Sequence, residues 1–347
     1  MRLLLAAGLT ETGLIDGLSA AGASAEVMSY TPSADAEILV YGRPTAAPVT
    51  PVSPTGCPTP AAITRAVREV VGFDATVLEA GLSESTAAPT VDLAADPGAD
   101  VREAVAVPDA AGIYDRARQF GATLPDDRVL IGETIPGGTT TALGVATALG
   151  APIGVSSSLP RNPLERKRAV VETGLAVSDL APGDCAGDPL AAIRAVGDPV
   201  QAAVAGVVAG ALEAGVDVTL AGGTQLVAVA AVLRHAGVNG PLRLATTSFV
   251  ADDPSVDLEA AGDRFDLEVV VTDPAFERSE HVSMARYCAG EAKEGVAMGG
   301  ALSLVPPGEM AAVRRRIEAV CERLGVNGET TAEDPRSPNV RGDGDAS

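Results

Sequence analysis

Short apolar runs bounded by Gly, Pro and Asp alternate along the chain with longer Ala- and Val-rich stretches of helical length. The short runs at 3–6, 37–41, 128–132, 216–220, 242–246 and 267–271 read as strands. Near-continuous apolar character over such a length suits a strand buried on both faces. The longer stretches at 60–70, 110–120, 139–149, 163–173, 199–214, 225–236, 279–289 and 307–324 read as helices. Strands separated by helices imply a parallel sheet, because each crossover must carry the chain back to the same end. In sheets of this kind ligands sit at the carboxyl ends of the strands, beside the turns that lead into the helices.

Two segments break the alternation. The stretch 46–60 is rich in Pro and Thr and reads as a loop, and 74–107 is rich in Ala, Asp and Val with weak periodicity and reads as an irregular excursion. From about residue 326 the chain turns polar, and 326–347 is expected to be a disordered acidic tail. No internal repeat stands out. A chain of 347 residues can hold one large core, and 1–325 is expected to form a single domain with its core at about 105–275.

Composition narrows the class. Twenty-five basic residues face 46 acidic ones, for a formal net charge of −21. Only two lysines occur, Lys167 and Lys293; the other basic residues are arginines. An acidic, lysine-poor surface suits a solvent of high salt, where like charges are screened, so a halophilic protein is expected, against the plainer reading of an acidic chain with biased composition. No basic face is visible to neutralise a nucleic-acid backbone, which argues against a nucleic-acid partner. The start, MRLLLAAGLTETG, mimics a signal peptide, but its apolar run ends at Thr10 and Glu11, at the short end for such a segment. It reads better as a buried first strand. The apolar stretch 202–212 is too short to span a bilayer and runs into Glu213 and Asp217. A cytoplasmic protein without a membrane partner is expected.

Much chemistry is excluded by scarcity. The chain has two histidines, His235 and His281, so a Ser-His-Asp triad or a His-rich metal centre has little material. His235 ends a helix, where a structural role is the default. The four cysteines, Cys57, Cys185, Cys288 and Cys321, form no CxxC pair and read as reduced thiols. Chemistry must rest on carboxylates, a lysine, hydroxyls and backbone amides.

Four segments carry such groups. GETIPGGTTT, Gly132 to Thr141, follows a strand and opens a helix. Its glycines allow close backbone approach, the helix start favours an anion, and three threonines add hydroxyls. It lacks the GK[ST] of a Walker A loop. Leu220-Ala221-Gly222-Gly223-Thr224-Gln225 repeats the layout, either as a second anion turn converging on the same ligand or as a tight turn with a threonine cap. KEGVAMGGA, Lys293 to Ala301, puts a glutamate before a glycine-rich apolar stretch; poor solvation there would raise its pKa and suit general-base work, although most such glutamates are solvated. Arg161-Asn162-Pro163-Leu164-Glu165-Arg166-Lys167-Arg168 is the one basic cluster, serving either an anionic ligand or a solvated helix face.

Taken together, these segments resemble the nicotinate-nucleotide–dimethylbenzimidazole phosphoribosyltransferase family of cobamide assembly, and more closely its archaeal branch. The archaeal resemblance runs through LSAAGASAEVMSYTPSADAE, CPTPAAITRA, IGETIPGGTTTALG, VSSSLPRNP, LAGGTQLVAVAAVL and KEGVAMGG. The bacterial motif GEMGIGNTTTA is similar to GETIPGGTTTA, which puts the family's site glutamate on Glu133. GTGVDDxGLxRKRAVVE is similar to SLPRNPLERKRAVVE and puts its site lysine on Lys167. GEGTGAAL is similar to KEGVAMGGAL and puts its catalytic base on Glu294. The chain departs from the bacterial pattern at Ile135, at Gly138 and after Glu294, and its N-terminal third does not align with the bacterial base pocket.

The fold expected is α/β, a Rossmann-like three-layer parallel sheet with helices on both faces, plus a smaller mainly helical lobe from the chain termini. The resemblance implies transfer of the phosphoribosyl group of nicotinate mononucleotide to a benzimidazole-type base in cobalamin (cobamide) nucleotide-loop assembly, with no cofactor and no metal. It implies catalytic roles for Glu294, Glu133 and Lys167. Gly137, Gly138, Thr139 and Thr140, with Gly222, Gly223 and Thr224, are the expected substrate and phosphate ligands. The implied partners are nicotinate mononucleotide, a benzimidazole-type or purine base, and a second copy in a homodimer. Helices within 199–236 could pack across that twofold or equally form core. The alternatives are a non-catalytic phospho-ligand binder of the same fold and a transferase with another acceptor, such as adenine.

Overall fold

The computed structural model describes residues 1–326, so all but the first residue of the expected tail lies outside the described residues. Seven strands, β1 (Arg2–Ala7), β2 (Asp74–Glu79), β3 (Thr90–Asp92), β4 (Arg128–Thr134), β5 (Asp217–Ala221), β6 (Leu242–Thr247) and β7 (Leu267–Thr272), form one sheet in the order β3-β2-β1-β4-β5-β6-β7. Every pairing is parallel. The chain builds outward from β1 to β3, then crosses back and builds from β4 to β7. The reversal between β1 and β4 opens a crevice at the carboxyl edge.

β1 explains why the chain begins with an unbroken apolar run. It is a central strand, and Leu3, Leu4, Leu5, Ala6 and Ala7 are all buried. Successive side chains point to opposite faces. Leu4 and Ala6 accordingly join the larger core with Ile131, Val145 and Val207, beneath the helices Ala110–Gly121, Gly138–Ala148, Pro199–Glu213 and Thr224–His235. Leu3 and Leu5 join the other core with Ile63, Met298 and Ile317. That second face is covered by helices from the two ends of the chain, Ala25–Tyr41, Ala61–Val71, Met298–Ser303 and Met310–Arg323. The three layers and the terminal helical lobe are thus as expected, although the sheet begins well before residue 105.

The segment 37–41 is a correction: it ends the helix Ala25–Tyr41 and is not a strand. Ile38 and Val40 mimic a strand, and Pro32 inside the helix argues locally against it. The helix survives because it is packed almost all round, with Thr31 to Leu39 buried, and because Ser24 caps it by accepting from the Val27 amide. The excursion 74–107 also proves ordered in part, supplying β2 and β3. These lie at one end of the sheet and are only partly buried, which explains the weak pattern. The helix Pro199–Glu213 is core within the chain. At Gly210 an added Cβ would stand 2.0 Å from the Arg118 carbonyl oxygen, so the backbones of two helices touch there. Among the described residues no helix is long and apolar enough to cross a membrane.

Candidate active site

A cavity opens at the carboxyl ends of β1, β4 and β5, the edge where parallel α/β sheets hold their ligands. Both glycine turns reach it. Gly137 caps the helix Gly138–Ala148 with φ of 86°, a left-handed conformation that glycine adopts without strain. Gly137, Gly138 and Thr139 line the cavity, as do Gly223, Thr224 and Gln225 at the head of the neighbouring helix. The two turns interlock: a Cβ on Gly138 would fall 1.9 Å from Gln225 Oε1. Thr140 and Gly222 do not line the cavity. Thr140 is fully buried and its hydroxyl has no partner among the described residues. The first helix start is partly satisfied already, since the Gly138 amide donates to Ile135 O at 3.3 Å and the Thr140 amide to Gly137 O at 2.8 Å.

Behind the turns, Asp198 ties three helix starts together. It caps the helix Pro199–Glu213 by accepting from the Gln201 amide at 2.9 Å. Its other oxygen accepts from Thr141 Oγ1 at 2.5 Å and Gln225 Nε2 at 3.4 Å. Burial pushes its pKa up to about 6 against these bonds.

Ser156, Ser157 and Ser158 form a second polar wall, and both lysines of the chain serve it. Lys167 Nζ donates to Ser156 O at 2.7 Å. Lys293 Nζ donates to Ser157 O at 3.0 Å and Leu159 O at 3.1 Å, and lies 3.5 Å from Asp253. Lys293 lines the cavity; Lys167 is fully buried and does not. Burial, with the charge of Lys293 nearby, lowers Lys167 to about 7. The rest of the basic cluster faces solvent, with Arg168 and Glu165 in an exposed pair. Lys293 was missed at the sequence level, although one of two lysines next to Glu294 was a usable signal.

Glu133 and Glu294 meet at the same cavity. Glu133 is the penultimate residue of β4, and burial together with the charges of Asp198 and Asp35 pushes its pKa up to about 8. Glu294 accepts from the Gly295 amide at 2.7 Å and the Gly299 amide at 2.6 Å. Burial outweighs these bonds, and with the charge of Glu133 it also raises Glu294 to about 8. The Val296 amide donates to Glu133 O at 2.8 Å, which stitches the two glutamates' segments together. The segment around Glu294 is strained: Ala292, Val296 and Ala297 have φ of 44°, 51° and 59°. Non-glycine residues in that region persist where packing over-determines them, often at functional sites.

Two further contributors were not read from sequence. Asp35, from the helix misread as a strand, lines the cavity while only 2% exposed. It accepts from Thr59 Oγ1 and Thr134 Oγ1, each at 2.6 Å. The other is the Pro-rich loop, of which Pro51, Val52, Ser53, Cys57, Pro58, Thr59 and Pro60 form one wall. The site therefore has donors on one side, an apolar strap on the other, and two carboxyl groups able to exchange protons near neutral pH.

Relatives agree with this architecture. A UPF0284 protein of Halobacterium salinarum is 58% identical over 323 residues, which cover 92% of this chain and 97% of the relative. The chain belongs to the UPF0284 family. The UPF0284 protein of Methanothermobacter thermautotrophicus is 40% identical over 336 residues, covering 92% of each. No family model matches the chain. Among solved structures, CobT from Thermus thermophilus superimposes with a TM-score of 0.58 at 18% identity, over 91% of this chain and 83% of that one. A structure of nicotinate-nucleotide-dimethylbenzimidazole phosphoribosyltransferase from the same organism gives 0.57 at 18% identity, over 94% and 85%. This UPF0284 protein therefore shares the fold of those two structures.

Proposed function

We propose that this UPF0284 protein is a phosphoribosyltransferase that moves the phosphoribosyl group of nicotinate mononucleotide to a benzimidazole-type base and releases nicotinate, a step of cobamide nucleotide-loop assembly. The observation that carries the reading is the meeting of Glu133 and Glu294, both raised to about 8, with two glycine turns at one cavity. Gly137, Gly138, Thr139, Gly223 and Thr224 anchor the phosphate at two helix starts. Thr140 and Gly222 shape those turns from behind. Lys167 acts through the Ser156 carbonyl that it holds, orienting the serine wall without touching substrate.

The glycosidic bond breaks with its electron pair passing to the cationic ring nitrogen, so the departing ring needs no proton. Positive charge builds on the sugar carbon, as in glycoside cleavage. A nitrogen of the acceptor base forms the new bond there, and Glu294 takes the proton displaced from that base. Glu133 orients the nucleotide beside the sugar and supplies negative charge there once its proton is lost, as pH approaches 8. Holding both reactants in one cavity supplies much of the rate.

Incubation with nicotinate mononucleotide and dimethylbenzimidazole should release nicotinate. Glu294→Gln should keep nucleotide binding and lose turnover by about 10²–10⁴-fold, the range for a lost acid–base group. Nucleotide binding without release by the wild type, across benzimidazoles and adenine, would favour a non-catalytic binder instead. Release with adenine alone would reassign the acceptor.

A further inference from the structure

The strap Pro51 to Pro60 differs in kind from the opposite wall. Prolines carry no amide donor, and the strap's hydroxyls are already engaged. Ser53 Oγ donates to Glu291 at 2.7 Å, Thr55 Oγ1 donates to the same carboxylate, and Thr59 Oγ1 donates to Asp35 at 2.6 Å. Tyr287 donates its hydroxyl to Pro58 O at 2.9 Å. What remains toward the cavity is mainly apolar surface, suited to the face of a flat aromatic ring. Glu294 bridges the two walls. A Cβ on Gly223, in the second glycine turn, would fall 3.3 Å from Glu294 Cβ, and one on Gly295 would fall 3.5 Å from Pro60 Cγ.

Asp35 joins the strap to the sheet. One oxygen holds Thr59 of the strap, and the other holds Thr134 at the end of β4, directly after Glu133. Among the described residues its carboxylate has no ion-pair partner. Its two short bonds therefore fix the spacing between strap and β4. We propose that Asp35 is a positioning residue for the acceptor base: through Thr59 and Thr134 it sets the width of the slot in which the base lies against Glu294. This rests on the transferase reading above.

Thr59→Val keeps the side chain's shape and removes the hydroxyl; Thr59→Ser keeps the hydroxyl. The expected result for Thr59→Val is a KM for the base raised on the order of tenfold or more, the scale of a lost hydrogen bond to a charged group. KM for nicotinate mononucleotide should stay within about twofold, far below that scale. Thr59→Ser should restore the base KM, and Thr134→Val should repeat the defect from the sheet side. Hydrogen exchange, which needs no activity, should show faster exchange of the Cys57 and Thr59 amides in Thr59→Val than in wild type or Thr59→Ser. Unchanged exchange and unchanged base KM in Thr59→Val would overturn the positioning role, as would equal damage to both substrates. Wild-type protein that transfers nothing, while its strap exchange still depends on Thr59, would overturn the transferase reading and the acceptor role that rests on it, leaving the clamp itself intact.

Discussion

Replacing Gly299 by alanine tests whether Glu294 is held in place by its surroundings. An added Cβ would stand 2.3 Å from Glu294 Oε1 and 2.4 Å from the Cα of Thr246. Real Cβ contacts essentially never fall below 3.0 Å, so both contacts must open by a large fraction of an ångström. The β6 backbone is paired on both sides by β5 and β7, so the short helix Met298–Ser303 that carries the new Cβ must back away from Thr246, and the Glu294 carboxylate is displaced with it. It then loses the 2.6 Å bond from the Gly299 amide, and a hydrogen bond to a charged group is worth about 1.5–3 kcal/mol. In an open helical position the same change would stabilise by roughly 1 kcal/mol. Overpacking a tight site costs about 1–3 kcal/mol. The expected outcome is a modest fall in Tm with a fall in kcat on the order of 10²-fold, the scale set by an ångström of misplacement. The pH profile should also shift upward, because the lost amide had favoured the charged carboxylate. Steady-state kinetics across pH, with thermal melts as the control for folding, measures all three. Turnover within a few-fold of wild type and an unmoved profile would refute the reasoning.

The wild-type rate should itself depend on pH. Glu294 is raised from 4.5 to about 8 by burial, and a base works only without its proton, so kcat/KM for the base should rise as pH climbs toward 8; a flat profile across that range contradicts the assignment. Lys167→Ala should weaken nicotinate mononucleotide binding and lower Tm together, since it frees the buried Ser156 carbonyl rather than a direct ligand contact; unchanged affinity by calorimetry would reject its indirect role. With 46 acidic against 25 basic residues, the fold should lose stability as salt is withdrawn, through unscreened repulsion; a Tm indifferent to salt would speak against the halophilic reading.

The sequence by itself determined the fold class and the two glycine turns that line the cavity. A parallel sheet buried on both faces demands continuous apolar strands and helices between them, and both leave local marks. A strand–glycine–helix turn is also local, so Gly137 to Thr139 and Gly223 to Thr224 could be read as candidate anion turns from the chain alone, and all of them line the cavity. Glu294 and Glu133 followed from resemblance to known motifs and meet in one cavity. The tertiary structure decided the rest. Asp35 lies 24 residues from Thr59 and 99 from Thr134, so no window of sequence contains the clamp. Only packing turns Lys167 inward from a helix whose neighbouring charges face water, and brings Lys293 to the same serine wall from 136 residues away. The helix Ala25–Tyr41 carries a proline and a β-like apolar end, yet it forms because burial on nearly every side outweighs local propensity. The Pro-rich strap belongs to this second class. Its prolines and hydroxyls are plain in the sequence, but only the fold shows that each strap hydroxyl is already bonded and that the strap lines the same cavity as Glu294.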